Sequence, residues 1–400
     1  MSLNEARLLD NIRQRFFSPQ DSRAPRTIGV ELELIPVHAS TRLPALPRTE
    51  GARSTATILS RVGTREGWLD QSTDDDTPSW TLDDGARVSF EPGGQIEISS
   101  TPHQTASGAI RAVQSVVGVI RQAMAPAGIE LLAIGVDPRN DIDAVPLQLQ
   151  RDRYSRMTRY FDSIGPSGVR MMRQTAAVQI NVERGSAPTI RWMLLNSLAP
   201  YIVALFANSR SYAGKKTKHA SYRAHLWRTL DPSRTGLPLD SPDPAAQYLA
   251  FALDAGAMRS SDGTGPWVSF RDWMRADSPD EEEWQFHLST LFPEVRPKEF
   301  FEIRSADAID SELLAAPVVF VTGIVYDEES ASRAAELLGS PSETLLERAG
   351  RLGLSDPDIH RIASELTALA LSGAASLGED YISPANLDIA RVYFARVLTQ

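Results

Sequence analysis

The sequence predicts an α+β fold in which an antiparallel sheet carries helices packed against it. Three observations lead there. Several segments alternate apolar and polar residues with the period of a strand. Strands and helices fall in runs rather than in a strict β–α–β alternation, which disfavours a doubly wound parallel sheet. The polar positions of the strands are acids, amides and an arginine rather than a random polar mixture. In 27–35, Val30, Leu32 and Leu34 alternate with Glu31 and Glu33. In 88–99, Glu91 and Glu97 accompany Ile96 and Ile98 on the other face. In 175–183, Gln179 and Asn181 alternate with Val178, Ile180 and Val182, and in 300–304, Glu302 and Arg304 alternate with Phe301 and Ile303. One such strand alone is usually a wet sheet face. Several together crowd unpaired carboxylates, which repel and resist desolvation. A hard cation such as Mg²⁺ would relieve that cost.

The remaining elements follow in chain order. Residues 3–17 read as an amphipathic helix through Leu8, Leu9, Ile12 and Phe16. A proline-containing turn at 18–26 precedes the Glu31/Glu33 strand, and 39–53 is a Pro/Arg/Thr-rich loop. A helix is expected over 58–68, then an acidic turn at 74–79. Short strands at 80–82 and 87–90 are joined by Asp83-Asp84-Gly85. Pro92-Gly93-Gly94 breaks the next strand and lets backbone approach a ligand closely. Residues 105–125 have helical spacing (Ile110, Val113, Val117, Ile120, Met124), and 129–136 is a short strand. Residues 151–164 form a helix in which Tyr154, Met157 and Tyr160 are packing residues. A turn at 165–168 leads through Met171 and Met172 into the Gln179/Asn181 strand. Residues 189–207 form an apolar helix, and 209–219 form a loop with solvated Lys215, Lys216 and Lys218. Residues 221–227 read as extended, 232–244 as turns, and 244–257 and 270–276 as helices. The acids of 277–283 open a further helix that runs to 291. From about 311 to 400 the pattern is helical. No repeat stands out, and 1–400 reads as one domain.

Composition sets bounds. At 42% hydrophobic and 23% charged residues the chain has a globular balance. A net charge of −10 argues against a general nucleic-acid binder. There is no cysteine, which excludes disulfides, thiolate metal sites and cysteine nucleophiles and fits a reducing cytoplasm. The N-terminus lacks the apolar core of a signal peptide, and the apolar stretches 313–325 and 363–377 are too short or interrupted to span a membrane.

The motifs GVELEL (29–34), FEPGGQIEIS (90–99), IGVDP (134–138), RYSRMTRYF (153–161), TAAVQINVE (175–183), ANS (207–209), SYRAHLW (221–227) and HLSTLFPEVRPKEFFEIRSAD (287–307) occur in one order. That ordered set resembles the plant and bacterial type of glutamate–cysteine ligase, in the superfamily of glutamine synthetase and the guanidino kinases. The resemblance implies a curved antiparallel sheet forming a funnel, whose polar face binds two or three Mg²⁺ ions (Mn²⁺ in their place), ATP and glutamate. It implies attack of the glutamate γ-carboxylate on the γ-phosphate of ATP, then attack of the cysteine amine on the acyl phosphate. Phosphoryl transfer relies on positioning and charge neutralisation, and the residues suit it. Glu31, Glu33, Glu91, Glu97 and Glu302 are the expected metal set. Gln179 and Asn181 are expected at substrate or metal-bound water. Arg153, Arg223 and Arg304 are expected at the glutamate α-carboxylate and the transferring phosphoryl group, since a guanidinium forks onto both. Arg223 and Arg304 are the expected catalytic pair, with Trp227 in the substrate-binding wall. His225 and His287 are expected to be structural.

Two departures stand out: the first removes the plant enzymes' regulation by disulfide, and the second bears on the acceptor. Ala176 and Ala177 stand where plant relatives carry a cysteine-containing TCTVQ, and Ser305 stands where many relatives have glycine. The expected activity is therefore a cytoplasmic, ATP- and Mg²⁺-dependent ligation of glutamate to cysteine, feeding glutathione or ergothioneine synthesis. A γ-glutamyl ligase with another amine acceptor, or a silent ATP- or metal-binding relative, are the competing expectations.

Overall fold

The computed structural model of the chain describes residues 3–21, 26–49, 54–72, 78–237, 241–259 and 267–399. Parts of the turns expected at 18–26, 39–53, 74–79 and 232–244 lie outside these residues. The strands are β1 (Ile28–His38), β2 (Leu69–Asp70), β3 (Trp80–Thr81), β4 (Arg87–Phe90), β5 (Ile96–Ser99) and β6 (Ile129–Leu132). They continue with β7 (Ala177–Val182), β8 (Ser211–Tyr212), β9 (Lys215–Lys216), β10 (Val295–Pro297) and β11 (Phe301–Asp307). β8 and β9 form a separate hairpin. Among the described residues the other nine make one sheet in the order β10-β11-β7-β1-β5-β4-β3-β2, with β6 paired to the end of β1. Every strand pair in it is antiparallel, as the α+β expectation requires.

The alternation in β1 does what its period dictates. Val30, Leu32 and Leu34 are fully buried, in one core with Ile110, Val113, Val117 and Ile120 of the helix Ala106–Met124. Burying each such side chain contributes roughly 1.5–3 kcal/mol, so a slip of one residue would turn apolar positions outward and fail. The register then fixes who meets whom on the polar face. Glu33 lies opposite Glu97, Glu31 opposite Gln179, and Glu302 opposite Asn181.

β11 contains a bulge. Its pairing with β7 shifts between Ile303 and Ala306, so that Arg304 and Ser305 together face Gln179. A bulge re-aims every side chain beyond it. Here it brings Asp307 opposite Ala177 on the polar face, where its carboxylate accepts from Ser209 Oγ at 2.7 Å and Ser221 Oγ at 2.9 Å.

Several expectations are corrected. Residues 221–227 are not extended but open the helix Tyr222–Leu230, because Ser221 Oγ accepts from Ala224 N at 3.0 Å and caps it. The turn at 165–168 is the start of the helix Pro166–Gln174, with proline at its first position. The strand expected over 129–136 stops at Leu132. The backbone freedom of Gly93 serves packing, not a ligand: a Cβ there would lie 1.9 Å from the Arg173 carbonyl oxygen.

The N-terminal helix Glu5–Phe16 buries Leu8, Ile12 and Phe16 and is capped by Asn4. The C-terminal region is helical as expected, and its first long helix, Ala315–Val325, is buried along its whole length. No helix among the described residues is long and apolar enough to cross a membrane.

Candidate functional site

The polar face of the sheet floors a cavity of about 210 Å³. β1 supplies Glu31 and Glu33, β5 supplies Glu97 with Glu91 just before it, and β7 supplies Gln179. β11 supplies Glu302 and Arg304. The helix Asp152–Ile164 contributes Arg153, and the helix Tyr222–Leu230 contributes Arg223 and Trp227, one turn apart on one face. Every residue expected from the sequence in a metal-binding, substrate-binding or catalytic role lines this cavity except Asn181. That residue stands behind Glu31 and donates from Nδ2 to its Oε1 at 2.8 Å. A larger cavity of about 460 Å³ opens against another face of the helix Tyr222–Leu230, but it is lined by two acids where this one has five.

Four of the carboxylates crowd together. Burial, repulsion from Glu97 and repulsion from Glu302 push the Glu31 carboxyl up to about 7. Burial and then Glu97 push Glu33 up to about 7 as well, against the pull of Arg223 and Arg304. Glu91 is raised well above the usual carboxylate range by burial and by Glu97, with which it shares a hydrogen bond. Glu33 is held in place by Ala177 N at 2.9 Å and Gln179 Nε2 at 3.0 Å. Glu97 accepts from Ser99 Oγ at 2.5 Å.

Glu302 differs from these four. Its Oε1 accepts from Lys298 Nζ at 2.5 Å and its Oε2 from Arg304 at 2.7 Å, and Arg296 Nε lies 3.1 Å away. Burial opposes its charge, but Arg296, Arg304 and Lys298 outweigh burial and hold it well below the usual carboxylate range. It still repels Glu31, but its own negative charge is already met by three cations, so it has less need of a metal ion than the other four.

The guanidinium groups form the opposite wall. The same Arg304 nitrogen that reaches Glu302 donates to Gln179 Oε1 at 2.7 Å. Arg223 donates to the Arg304 carbonyl oxygen at 2.8 Å. Trp227 lies beneath both, with guanidinium carbons 4.6 Å and 5.7 Å from its ring centroid, and donates from Nε1 to the Phe292 carbonyl oxygen at 3.0 Å. Arg153 donates to the Ser289 hydroxyl and carbonyl oxygens. The Nε atoms of Arg223 and Arg304 are buried without a hydrogen-bond partner. Buried donors are rarely left unmet, so this wall suits an oxyanion.

Among the described residues, no group of three or more His, Asp or Glu side chains is arranged to hold a metal ion. The site therefore contains no preformed all-protein cage. The crowded Glu31, Glu33, Glu91 and Glu97 fit Mg²⁺ in a different way, since that ion keeps its waters and takes one or two carboxylates together with substrate phosphates.

Sequence reasoning missed several lining residues. Arg296 and Lys298 sit in a quoted motif, and the hairpin register that places Arg296 opposite Glu302 would have found the first. Gln95 is buried and bridges Gly93 N, at 3.0 Å, to the Thr175 carbonyl oxygen, at 2.7 Å. Tyr154, Met157, Met171, Met172 and Phe292 give the cavity an apolar side. Met157 also packs in a buried cluster, as expected for it. His287 is a buried structural residue: burial lowers it to about 3 and its Nε2 lies 2.7 Å from the Ala252 carbonyl oxygen. Lys215 and Lys216 are exposed on β9. Ala176, Ala177 and Ser305 are buried and do not line the cavity.

The model of glutamate–cysteine ligase family 2 matches residues 27–378. The chain belongs to that family. It is 34% identical to the glutamate–cysteine ligase EgtA of Mycolicibacterium smegmatis over 311 residues, 73% of this chain and 72% of that protein. It is 33% identical to a chloroplastic glutamate–cysteine ligase of Medicago truncatula over 312 residues, 72% of this chain and 61% of the plant protein. The crystal structure of a glutamate–cysteine ligase from Francisella tularensis in complex with AMP superposes with a TM-score of 0.53. That match covers 95% of this chain and 83% of the other at 12% identity, and it shows a shared fold.

Proposed function

We propose that this family member is an ATP-dependent glutamate–cysteine ligase. The observation that carries the reading is one cavity with crowded carboxylates on one wall and guanidinium donors with unmet hydrogen bonds on the other. The family and the names of its relatives support it. In the proposed reaction a γ-carboxylate oxygen of glutamate attacks the γ-phosphorus of ATP, and the bond to the β–γ bridging oxygen breaks to release ADP. The amine of cysteine then attacks the acyl carbon of γ-glutamyl phosphate. Phosphate leaves, the amine loses a proton, and γ-glutamylcysteine remains.

Arg304 and Arg223 face the transferring phosphoryl group, where charge spreads over the equatorial oxygens. Arg153 takes the glutamate α-carboxylate. Gln179 fixes Arg304 on one side and Glu33 on the other, Asn181 fixes Glu31, and Trp227 supports both guanidinium planes. Glu31, Glu33, Glu91 and Glu97 would hold Mg²⁺ or Mn²⁺, which when bound neutralises phosphate charge. Glu302, first expected among the metal ligands, instead organises Arg296, Lys298 and Arg304. The substrates are small molecules, the compartment is the cytoplasm, and the product enters glutathione or ergothioneine synthesis.

The test is release of ADP from ATP, Mg²⁺ and glutamate with a panel of amines including cysteine. Cysteine-dependent turnover yielding γ-glutamylcysteine is expected. Turnover with a different amine alone would move the acceptor. ATP binding without ADP release for any amine would make the chain a silent relative.

A further inference from the structure

Behind the guanidinium wall lies a buried carboxylate that the reaction does not touch. Glu294 is 3% exposed and is not among the residues lining the cavity. Both of its oxygens are used. Oε2 accepts from Ser305 Oγ at 2.7 Å, and Oε1 accepts from Arg228 at 3.3 Å. Its main-chain carbonyl oxygen accepts from Arg304 N at 2.9 Å. Glu294 therefore grips the β11 bulge at both of its residues, one through main chain and one through side chain. Arg228 carries the connection outward. It lies on the helix Tyr222–Leu230, one residue after Trp227, and its other nitrogen is anchored by Glu343 at 3.0 Å.

We propose that Glu294 is a positioning residue that sets Arg304, and with it the Arg223–Trp227 face, for the phosphoryl transfer read above. The physical reason is the bulge. An extra residue in a strand leaves main-chain groups outside the ladder, and something else must fix its angle. The Ser305 hydroxyl and the Arg304 N–H both end on Glu294, so that one residue fixes the main chain from which Arg304 reaches Glu302 and Gln179. Arg228 makes the same carboxylate a joint between the strand carrying Arg304 and the helix carrying Arg223 and Trp227. A buried carboxylate shared in this way is conformationally costly to move, because the buried Ser305 hydroxyl has no water to replace it.

The experiment compares Glu294→Ala, Glu294→Gln and Ser305→Ala with wild type, each rate normalised to folded protein by circular dichroism. For Glu294→Ala, kcat and kcat/KM for ATP should fall together, on the order of 100-fold, as expected for a misplaced transition-state group. Glu294→Gln keeps an acceptor for Ser305 and should recover part of the loss, with Ser305→Ala the mildest. A role confined to stability would lower the melting temperature and leave kcat untouched, and that result would overturn the proposal. If Glu294→Ala does not fold, wild-type kcat in both of the other variants would overturn it equally. A ligand-free arm separates this proposal from the functional reading it rests on. If wild type releases no ADP with any amine, the functional reading fails. The crystal structure of Glu294→Gln or Ser305→Ala still decides the role of Glu294. An Arg304 displaced from Gln179 supports the proposal, and an unchanged bulge in both refutes it.

Discussion

Glu33→Gln should make the metal-free protein more stable at pH 8 and leave its stability nearly unchanged at pH 5. The Glu33 carboxyl sits at about 7 in the folded chain against an ordinary value of 4.5. A carboxyl raised in this way binds its proton more tightly in the folded state. Its contribution is complete below 4.5 and is lost as the pH rises through about 7. Full loss corresponds to roughly 3 kcal/mol. Glutamine carries no charge to bury, but its single acceptor oxygen cannot serve both Ala177 N and Gln179 Nε2, a loss of about 1 kcal/mol. The net gain at pH 8 is about 2 kcal/mol. For a chain of 400 residues, at about 2.1 cal/mol/K of unfolding entropy per residue, that raises the melting temperature by about 2–3 °C. At pH 5, just above 4.5, roughly 1 kcal/mol of the contribution has already gone, which about offsets the lost hydrogen bond, so the variant should melt within about 1 °C of wild type. Calorimetry in a chelator at the two pH values measures both numbers. A variant with the same shift at both pH values, or one weaker at pH 8 than at pH 5, would refute the electrostatic account of this wall. Turnover should be abolished under all conditions, so the stabilising change would also be the inactivating one.

Three further outcomes follow. Added Mg²⁺ should raise the melting temperature at pH 8 and leave it unmoved at pH 5, where protons occupy Glu31 and Glu33. An equal rise at both would remove these acids from the cation site. Glu302→Ala should have the opposite sign to Glu33→Gln, destabilising by about 3–5 kcal/mol because Arg296, Lys298 and Arg304 lose their shared partner. Urea unfolding at neutral pH checks this, and since the Glu302 carboxyl is depressed, its contribution in wild type is present above 4.5 and fades as the pH falls below that. Gly93→Ala should cost about 1–3 kcal/mol, since its methyl group meets the Arg173 carbonyl. Turnover should fall with it through displacement of Glu91, and a variant as stable as wild type would show that the turn moves freely.

Much of the site was readable from local pattern because a strand has period two. Once Val30, Leu32 and Leu34 had to face a core, Glu31 and Glu33 had to face the other way, and the same logic held for Gln179 and Glu302. What local pattern lacks is register. That Glu302 lies within reach of Arg296 and Lys298 depends on the β10–β11 hairpin, and this pairing changes the electrostatic character of Glu302. The bulge at Arg304–Ser305 was equally hidden, since the strand rhythm alone would carry on through it. The helix Tyr222–Leu230 was misread because Tyr222 and Trp227 favour strands, while the Ser221 cap that decides the matter is a single hydroxyl. Gly93 was assigned a ligand when its neighbour is the carbonyl of Arg173, a contact between segments 80 residues apart that no short window contains.

Gln179 has a consequence that comes from its lack of charge. Its amide oxygen takes the guanidinium of Arg304 and its amide nitrogen gives to the carboxylate of Glu33, so its orientation is fixed at both ends. It acts as an insulator between a cation and an anion that would otherwise close on each other. A glutamate in its place would draw Arg304 into a private pair and add its own charge to the crowd around Glu33. With the amide there, the two walls keep opposite polarity across a narrow gap. A guest that presents a cation on one side and an oxyanion on the other, as a metal-chelated phosphate does, meets the crowded acids on one side and the unmet Nε donors of Arg223 and Arg304 on the other.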